Sequence, residues 1–197
     1  MIYCIGDSHV FHFSLSKFFS IKHIGPALAY QAYDKWLPQQ ISPFVNNISS
    51  NNILLFSFGE IDCRCHIAKY LKNSSIEIEC EKVLLKYIKL FHYFDKKHKL
   101  ICSIPHQIHD LPYKEINDIT EQDVNKFIAV GSYTLRQKIT NCFRNLLLKW
   151  CEDNKIQIFD IMQHPNFKFD YDCFKKDNIH IDSNFAKQFC DNFAKSI

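Results

Sequence analysis

Three side chains in this sequence are of types that, if brought together, could cut an acyl bond: Ser8 within Gly6-Asp7-Ser8-His9, and Asp177 and His180 within Asp177-Asn178-Ile179-His180. A serine hydroxyl is a weak nucleophile at neutral pH until a base takes its proton. An imidazole does that best when a carboxylate fixes its other nitrogen. Asp and His three residues apart in a turn can face one another, so a single short motif supplies both the base and the group that orients it. The chain order is then Ser, Asp, His. Each residue also has a plainer reading on its own: Ser8 caps a helix, Gly6-Asp7 is a turn, Asp177 is a turn residue and His180 an ordinary loop histidine. Their joint occurrence at opposite ends of one chain favours the catalytic reading.

Residues so distant in sequence meet only if a fold carries both loops to one edge. The run Ile2-Tyr3-Cys4-Ile5, stopped by Gly6, reads as a buried strand that turns sharply and delivers Ser8 to the C-terminal edge of a sheet, at the start of the next helix. There, unpaired N–H groups and the helix dipole favour a developing negative charge. Phe11 to Phe19 reads as a short amphipathic helix and Ser20 to Ile24 as a second strand. Gly25-Pro26 breaks the chain, and Pro26 opens a helix through Tyr30, Tyr33 and Trp36, a stripe read as core packing, until Pro38 stops it. Ile41 to Asn52 is a polar surface loop. Ile53 to Phe58 is the clearest strand, a continuous apolar run suited to the middle of a parallel sheet.

Helical spacing of Cys80, Val83, Leu84, Tyr87, Ile88 and Phe91 gives a crossover helix over Ile76 to Phe94. Leu100 to Ile104 is the fourth strand, followed by a polar excursion from His106 to Val124 of the kind that shapes substrate sites. His106 and His109 follow that strand on the same edge and read as substrate contacts or as solvated loop histidines. A long helix over Ser132 to Asp153, a fifth strand over Ile156 to Ile161, a loop from Gln163 to Asp182 and a last helix from Ser183 to Ala194 complete the chain. Alternating strands and helices imply βαβ units, hence an α/β protein: a three-layer α/β/α sandwich on a parallel sheet of about five strands.

At 197 residues the chain reads as a single domain, 1–197. Its 24 Lys and Arg exceed its 21 Asp and Glu by only three, and they are scattered, so nucleic acid is not indicated. No stretch approaches the ~18 apolar residues of a membrane span, and the chain starts straight into its first strand; a cytoplasmic protein is expected. Nine cysteines at irregular spacings read as reduced, buried thiols rather than a disulfide framework. Cys63-Arg64-Cys65-His66 lacks a second ligand pair, while a structural zinc site takes about four ligands, so neither metal nor other cofactor is expected. Glycine is scarce at four residues, and Gly6, Gly25 and Gly59 each close a predicted strand. They gather on one edge, where backbone must approach something closely.

On these residues the chain resembles the SGNH hydrolases, the GDSL-like esterase and lipase superfamily. Gly6-Asp7-Ser8 matches the first block of that family, with His9 where many members carry leucine; Gly25 matches the second, Gly59-Glu60-Ile61-Asp62 the third and Asp177-x-x-His180 the last. The resemblance implies a flavodoxin-like sandwich in which Ser8 attacks an ester carbonyl, His180 is the base and Asp177 orients it. It also implies an oxyanion held by the N–H groups of Ser8 and Gly25 and by an asparagine side chain. Ile61, which cannot donate, stands where that asparagine belongs. Arg64 is the substitute expected, unless it pairs with Glu60 or Asp62 and stiffens the loop instead.

The expected function is a serine esterase removing a short acyl group, acetyl, from a carbohydrate or other polar metabolite. The alternatives are an O-acyltransferase with the same serine chemistry and a non-catalytic binding protein on the same fold. Gly25, Gly59 and Arg64 are the residues expected around the substrate and oxyanion, and a small-molecule or glycan ester is the expected partner.

Overall fold

A computed structural model gives the fold, and the structure describes residues 1–108, 129–167, 173–174 and 179–197. Five strands, β1 (Ile2–Gly6), β2 (Phe19–His23), β3 (Ile53–Ser57), β4 (Lys99–Ser103) and β5 (Gln157–Phe159), form one sheet in the order β2-β1-β3-β4-β5. All four pairings are parallel. This is the three-layer α/β/α arrangement expected. Side chains alternate between two cores, as a strand buried on both faces demands. Ile5, Leu54, Phe56, Leu100 and Cys102 face one core, and Ile2, Cys4, Leu55 and Ile101 the other.

The first core lies under α2 (Ile76–Phe94), α3 (Tyr133–Asp153) and a helical stretch over residues 29–45; the second lies under the turn after β1 and α4 (Ser183–Ser196). Ser75, Ser132 and Asp182 each accept a backbone N–H at the start of α2, α3 and α4, worth about 1 kcal/mol apiece. All nine cysteines are free thiols, eight of them buried. Among the described residues, no helix is long and apolar enough to cross a membrane.

Three local expectations are corrected. The helix expected over Phe11 to Phe19 is a six-residue 3₁₀ turn, Ser8–Phe13, because the Asp7 carboxylate caps it early by accepting the His9 N–H at 2.9 Å; β2 already begins at Phe19. So short a turn offers Ser8 local N–H groups rather than a helix dipole. Pro38 does not stop the second helical stretch. A 3₁₀ turn (Ala29–Gln31) leads into π-helical residues Ala32–Ile41, whose wider turn accommodates a residue without an N–H, and α1 (Ser42–Val45) follows. The expected loop from Ile41 therefore starts only after Val45. Tyr30, Tyr33 and Trp36 pack against the first core as expected.

Candidate active site

The parallel register pairs Gly6 with His23 on one side and Ser57 on the other, so the segments leaving β1, β2 and β3 emerge together at one edge. Gly6 is needed there: a Cβ would lie 1.9 Å from the Ser57 carbonyl oxygen, which accepts the Asp7 N–H at 3.2 Å. That contact turns the chain and leaves half-buried Ser8 at the edge. From the other end of the sequence, His180 arrives with Nε2 2.6 Å from Ser8 Oγ, a hydrogen bond across 172 positions.

Several interactions hold His180 in place. Phe174 and Ile181 form an antiparallel bridge, and the Asp182 N–H donates to the Cys173 carbonyl at 3.0 Å. Asp182 caps α4, whose first residue, Ser183, donates its hydroxyl to the Phe11 carbonyl at 2.9 Å. The two ends of the chain are thus tied beside the Ser8–His180 pair. His106, read from sequence as a substrate contact or a solvated histidine, is not solvated: it is buried, and its Nε2 lies 2.9 Å from the carbonyl oxygen of Ile179, next to His180. Burial, with His9 adding, pushes the His106 pKa down to about 3, so it is a neutral donor to that carbonyl. His109 and Asp177 lie outside the described residues.

Beneath this pair is a buried charge network, of which sequence reading offered the Arg64–Glu60 pairing but not the part played by His9 and Asp7. The His9 ring stacks on His180, centroids 4.9 Å apart at 27°. Its Nδ1 is 2.9 Å from Asp7 Oδ1 and its Nε2 3.5 Å from Glu60 Oε2, while Glu60 Oε1 accepts from Arg64 Nε at 2.8 Å. Burial works against the His9 cation, but the Glu60 and Asp7 carboxylates outweigh it and hold its pKa above the ordinary value. Burial likewise works against Glu60, and Arg64 and His9 hold it down at about 2. Acidic and basic side chains thus alternate from Asp7 through His9 and Glu60 to Arg64, as burying charge requires. The signal available in the sequence was His9 itself, an imidazole directly after Gly6-Asp7-Ser8.

The remaining expected residues sit on the same edge. Gly25 has φ +105°, in the left-handed region, and leads the chain from β2 toward Ala29. Buried Asp62 fixes that passage, accepting the N–H of Ala29 at 2.6 Å and of Tyr30 at 3.3 Å. Burial raises its pKa to about 7 against the pull of those two N–H groups. The second and third blocks are thereby bolted together. Gly59 follows β3 and packs against Phe143. Among the described residues, no acceptor faces the backbone N–H of Ser8 or of Gly25. Arg64, expected as a substitute oxyanion donor, has Nε committed to Glu60. Cys63 and Cys65 are buried in a π-helical turn (Asp62–His66), and no cluster of metal-ligating side chains occurs among the described residues.

No family model and no curated protein matches this sequence. Solved structures do. A member of the lipolytic G-D-S-L family from Veillonella parvula superposes with TM-score 0.55 at 12% identity, covering 100% of this chain and 96% of that one. Est24, a carbohydrate acetylesterase from Sinorhizobium meliloti, gives 0.56 at 11%, covering 99% and 96%. The esterase EstA from Pseudoalteromonas sp., in a structure inhibited by monoethylphosphonate, gives 0.51 at 11%, covering 99% and 94%. At such identities the likeness establishes a shared fold, that of the GDSL-like lipolytic proteins.

Proposed function

We propose that the chain is an SGNH-type serine esterase that removes a short acyl group, acetyl, from a carbohydrate or other polar metabolite. The observation carrying this reading is the 2.6 Å contact between Ser8 Oγ and His180 Nε2, made by residues from opposite ends of the chain at the C-terminal edge of the sheet. In this reading, His180 takes the Ser8 proton as Oγ attacks the ester carbonyl, then returns it to the departing alcohol; water repeats the sequence to release the acid. Asp177 orients the imidazole, in the role its motif implies. The oxyanion rests on the N–H groups of Ser8 and Gly25. The fold shared with a carbohydrate acetylesterase supports the substrate class.

The test is hydrolysis of 4-nitrophenyl acetate and of mono-O-acetylated sugars by wild type, Ser8→Ala, His180→Ala and Asp177→Ala. Ser8→Ala should lose several orders of magnitude while staying folded, since a small edge residue leaves no large cavity. His180→Ala should be nearly as severe and Asp177→Ala milder. A Ser8→Ala variant with near-normal turnover overturns the mechanism, and acyl transfer to a sugar hydroxyl in preference to water would make the protein an acyltransferase.

A further inference from the structure

Beside Gly25 and Gly59 is a cavity whose charge, among the described residues, is one-sided. It has a volume of about 470 Å³, within the range of roughly 300–1,000 Å³ common for small-molecule sites. Its wall includes Pro26, adjacent to Gly25, and Ile61, between Gly59 and Asp62. The segments that supply it are thus those leaving β2 and β3 on either side of Ser8. Lys35, Arg64 and Lys69 line it, and among the described residues no acidic side chain does. Trp36 supplies an aromatic wall, with Lys35 Nζ 4.3 Å from its ring centroid.

The three cations are not equivalent. Arg64 is already matched by Glu60 at 2.8 Å, and Lys35 is exposed to solvent. Lys69 is half-buried, and among the described residues its ammonium has neither a carboxylate nor a hydrogen-bond acceptor. Burial lowers its pKa, and the groups that pull the other way do not offset that: the Cys65 thiol is itself pushed up to about 11, and Asp62 is occupied by two backbone N–H groups. His66, on the same wall, stays neutral at neutral pH, since burial and Lys69 push its pKa to about 4. A desolvated cation without a partner is costly, and the cost is recovered when a ligand brings the anion.

We infer that this cavity is the acceptor subsite of the esterase and takes the carboxylate of an acidic sugar, with Lys69 pairing the carboxylate and Trp36 walling the ring. This rests on the esterase reading and narrows its substrate to acyl esters of carboxylate-bearing saccharides. One unmatched ammonium suits a monoanion, which favours a carboxylate over a phosphate dianion.

Two measurements test it. In the first, kcat/KM is compared for a mono-O-acetylated methyl glucuronoside and for its carboxyl methyl ester, the same ring without the charge. Wild type should prefer the acid by about tenfold at low salt, the scale of one charge-assisted contact. The preference should collapse in Lys69→Met, which keeps the aliphatic stem, and in about 0.5 M salt. Equal rates, or a preference for the neutral ester, overturn the inference. In the second, binding of glucuronate and of inorganic phosphate to Ser8→Ala is measured calorimetrically, so that no turnover is needed. Glucuronate binding that is lost in Ser8→Ala/Lys69→Met upholds the subsite even if neither ester is hydrolysed, in which case the esterase reading alone fails. Hydrolysis of the neutral ester without glucuronate binding overturns the subsite alone, and phosphate binding in place of glucuronate overturns the choice of anion. Lys69→Gln replaces Lys69→Met in both measurements if circular dichroism finds the latter unfolded.

Discussion

Replacing His9 with leucine removes the imidazole that bridges Asp7 and Glu60. Neither carboxylate is stranded completely: Asp7 keeps the backbone N–H of residue 9 at 2.9 Å, and Glu60 keeps Arg64 at 2.8 Å. Breaking a buried ion pair costs about 3–5 kcal/mol. The two surviving contacts place His9→Leu at the lower end, about 3 kcal/mol, or a fall in Tm of about 6–12 °C for a chain of this size. The effect must also carry a pH signature. Because its carboxylate neighbours raise the folded pKa of His9 above the unfolded value of about 6.5, the stabilisation is complete below that value and fades as pH rises through the folded one. Of the titratable groups facing the ring, His106 titrates near pH 3 and Glu60 near 2, below the range measured, and His180, stacked on the ring, is controlled for by repeating the comparison in a His180→Ala background. Calorimetric Tm values for wild type and His9→Leu between pH 5.5 and 9 should differ most at the acid end and converge toward the alkaline end. A gap that is constant, or that widens with pH, refutes the bridging imidazolium.

Arg64→Ala leaves the buried Glu60 carboxylate without its shortest partner, so Tm should fall by several degrees while kcat on neutral aryl acetates changes by less than about tenfold; a loss of about a hundredfold with unchanged Tm would instead make Arg64 an oxyanion donor. Ile61→Asn, which puts an amide donor where the sequence resemblance implies one, should raise kcat on the same ester by about tenfold or more, and no gain would mean the site does not aim that side chain at the reacting oxygen. Gly25→Ala meets open space, with nothing within 4 Å of the added Cβ, but its φ of +105° strains any L side chain. Turnover should fall by about a hundredfold as the N–H moves, with KM little altered and Tm lower by several degrees from the strain, and a normal kcat would remove Gly25 from the oxyanion hole.

Much of this architecture was legible because its signals are local and strong. Leu54, Leu55 and Phe56 are all buried because β3 is covered on both faces, and an unbroken apolar run encodes that directly. The α2 stripe and the serines that cap α2 and α3 were equally plain. What escaped depended on partners remote in sequence. Pro38 reads locally as a stop, yet packing against α2 keeps the helical stretch going in a wider turn. His106 reads from sequence as a substrate contact or a solvated histidine because nothing near it reveals the Ile179 carbonyl, 73 positions away. Glu60 and Arg64 were visible as a pair four residues apart, but His9, which makes Glu60 part of the active site, comes from another strand end. The Ser8 and His180 pairing was legible across the whole chain only because its chemistry demands that the two meet.

The central claim is that Ser8 is a nucleophile activated by His180, and its most direct measurement is the intact mass of the protein after exposure to a fluorophosphonate across a pH series. The account predicts one adduct per chain, mapped to Ser8, absent in Ser8→Ala and slowed by orders of magnitude in His180→Ala. Its rate in wild type should rise with pH as the imidazole loses its proton. Folded wild-type protein that stays unlabelled, or that is labelled at the same rate without His180, would contradict it.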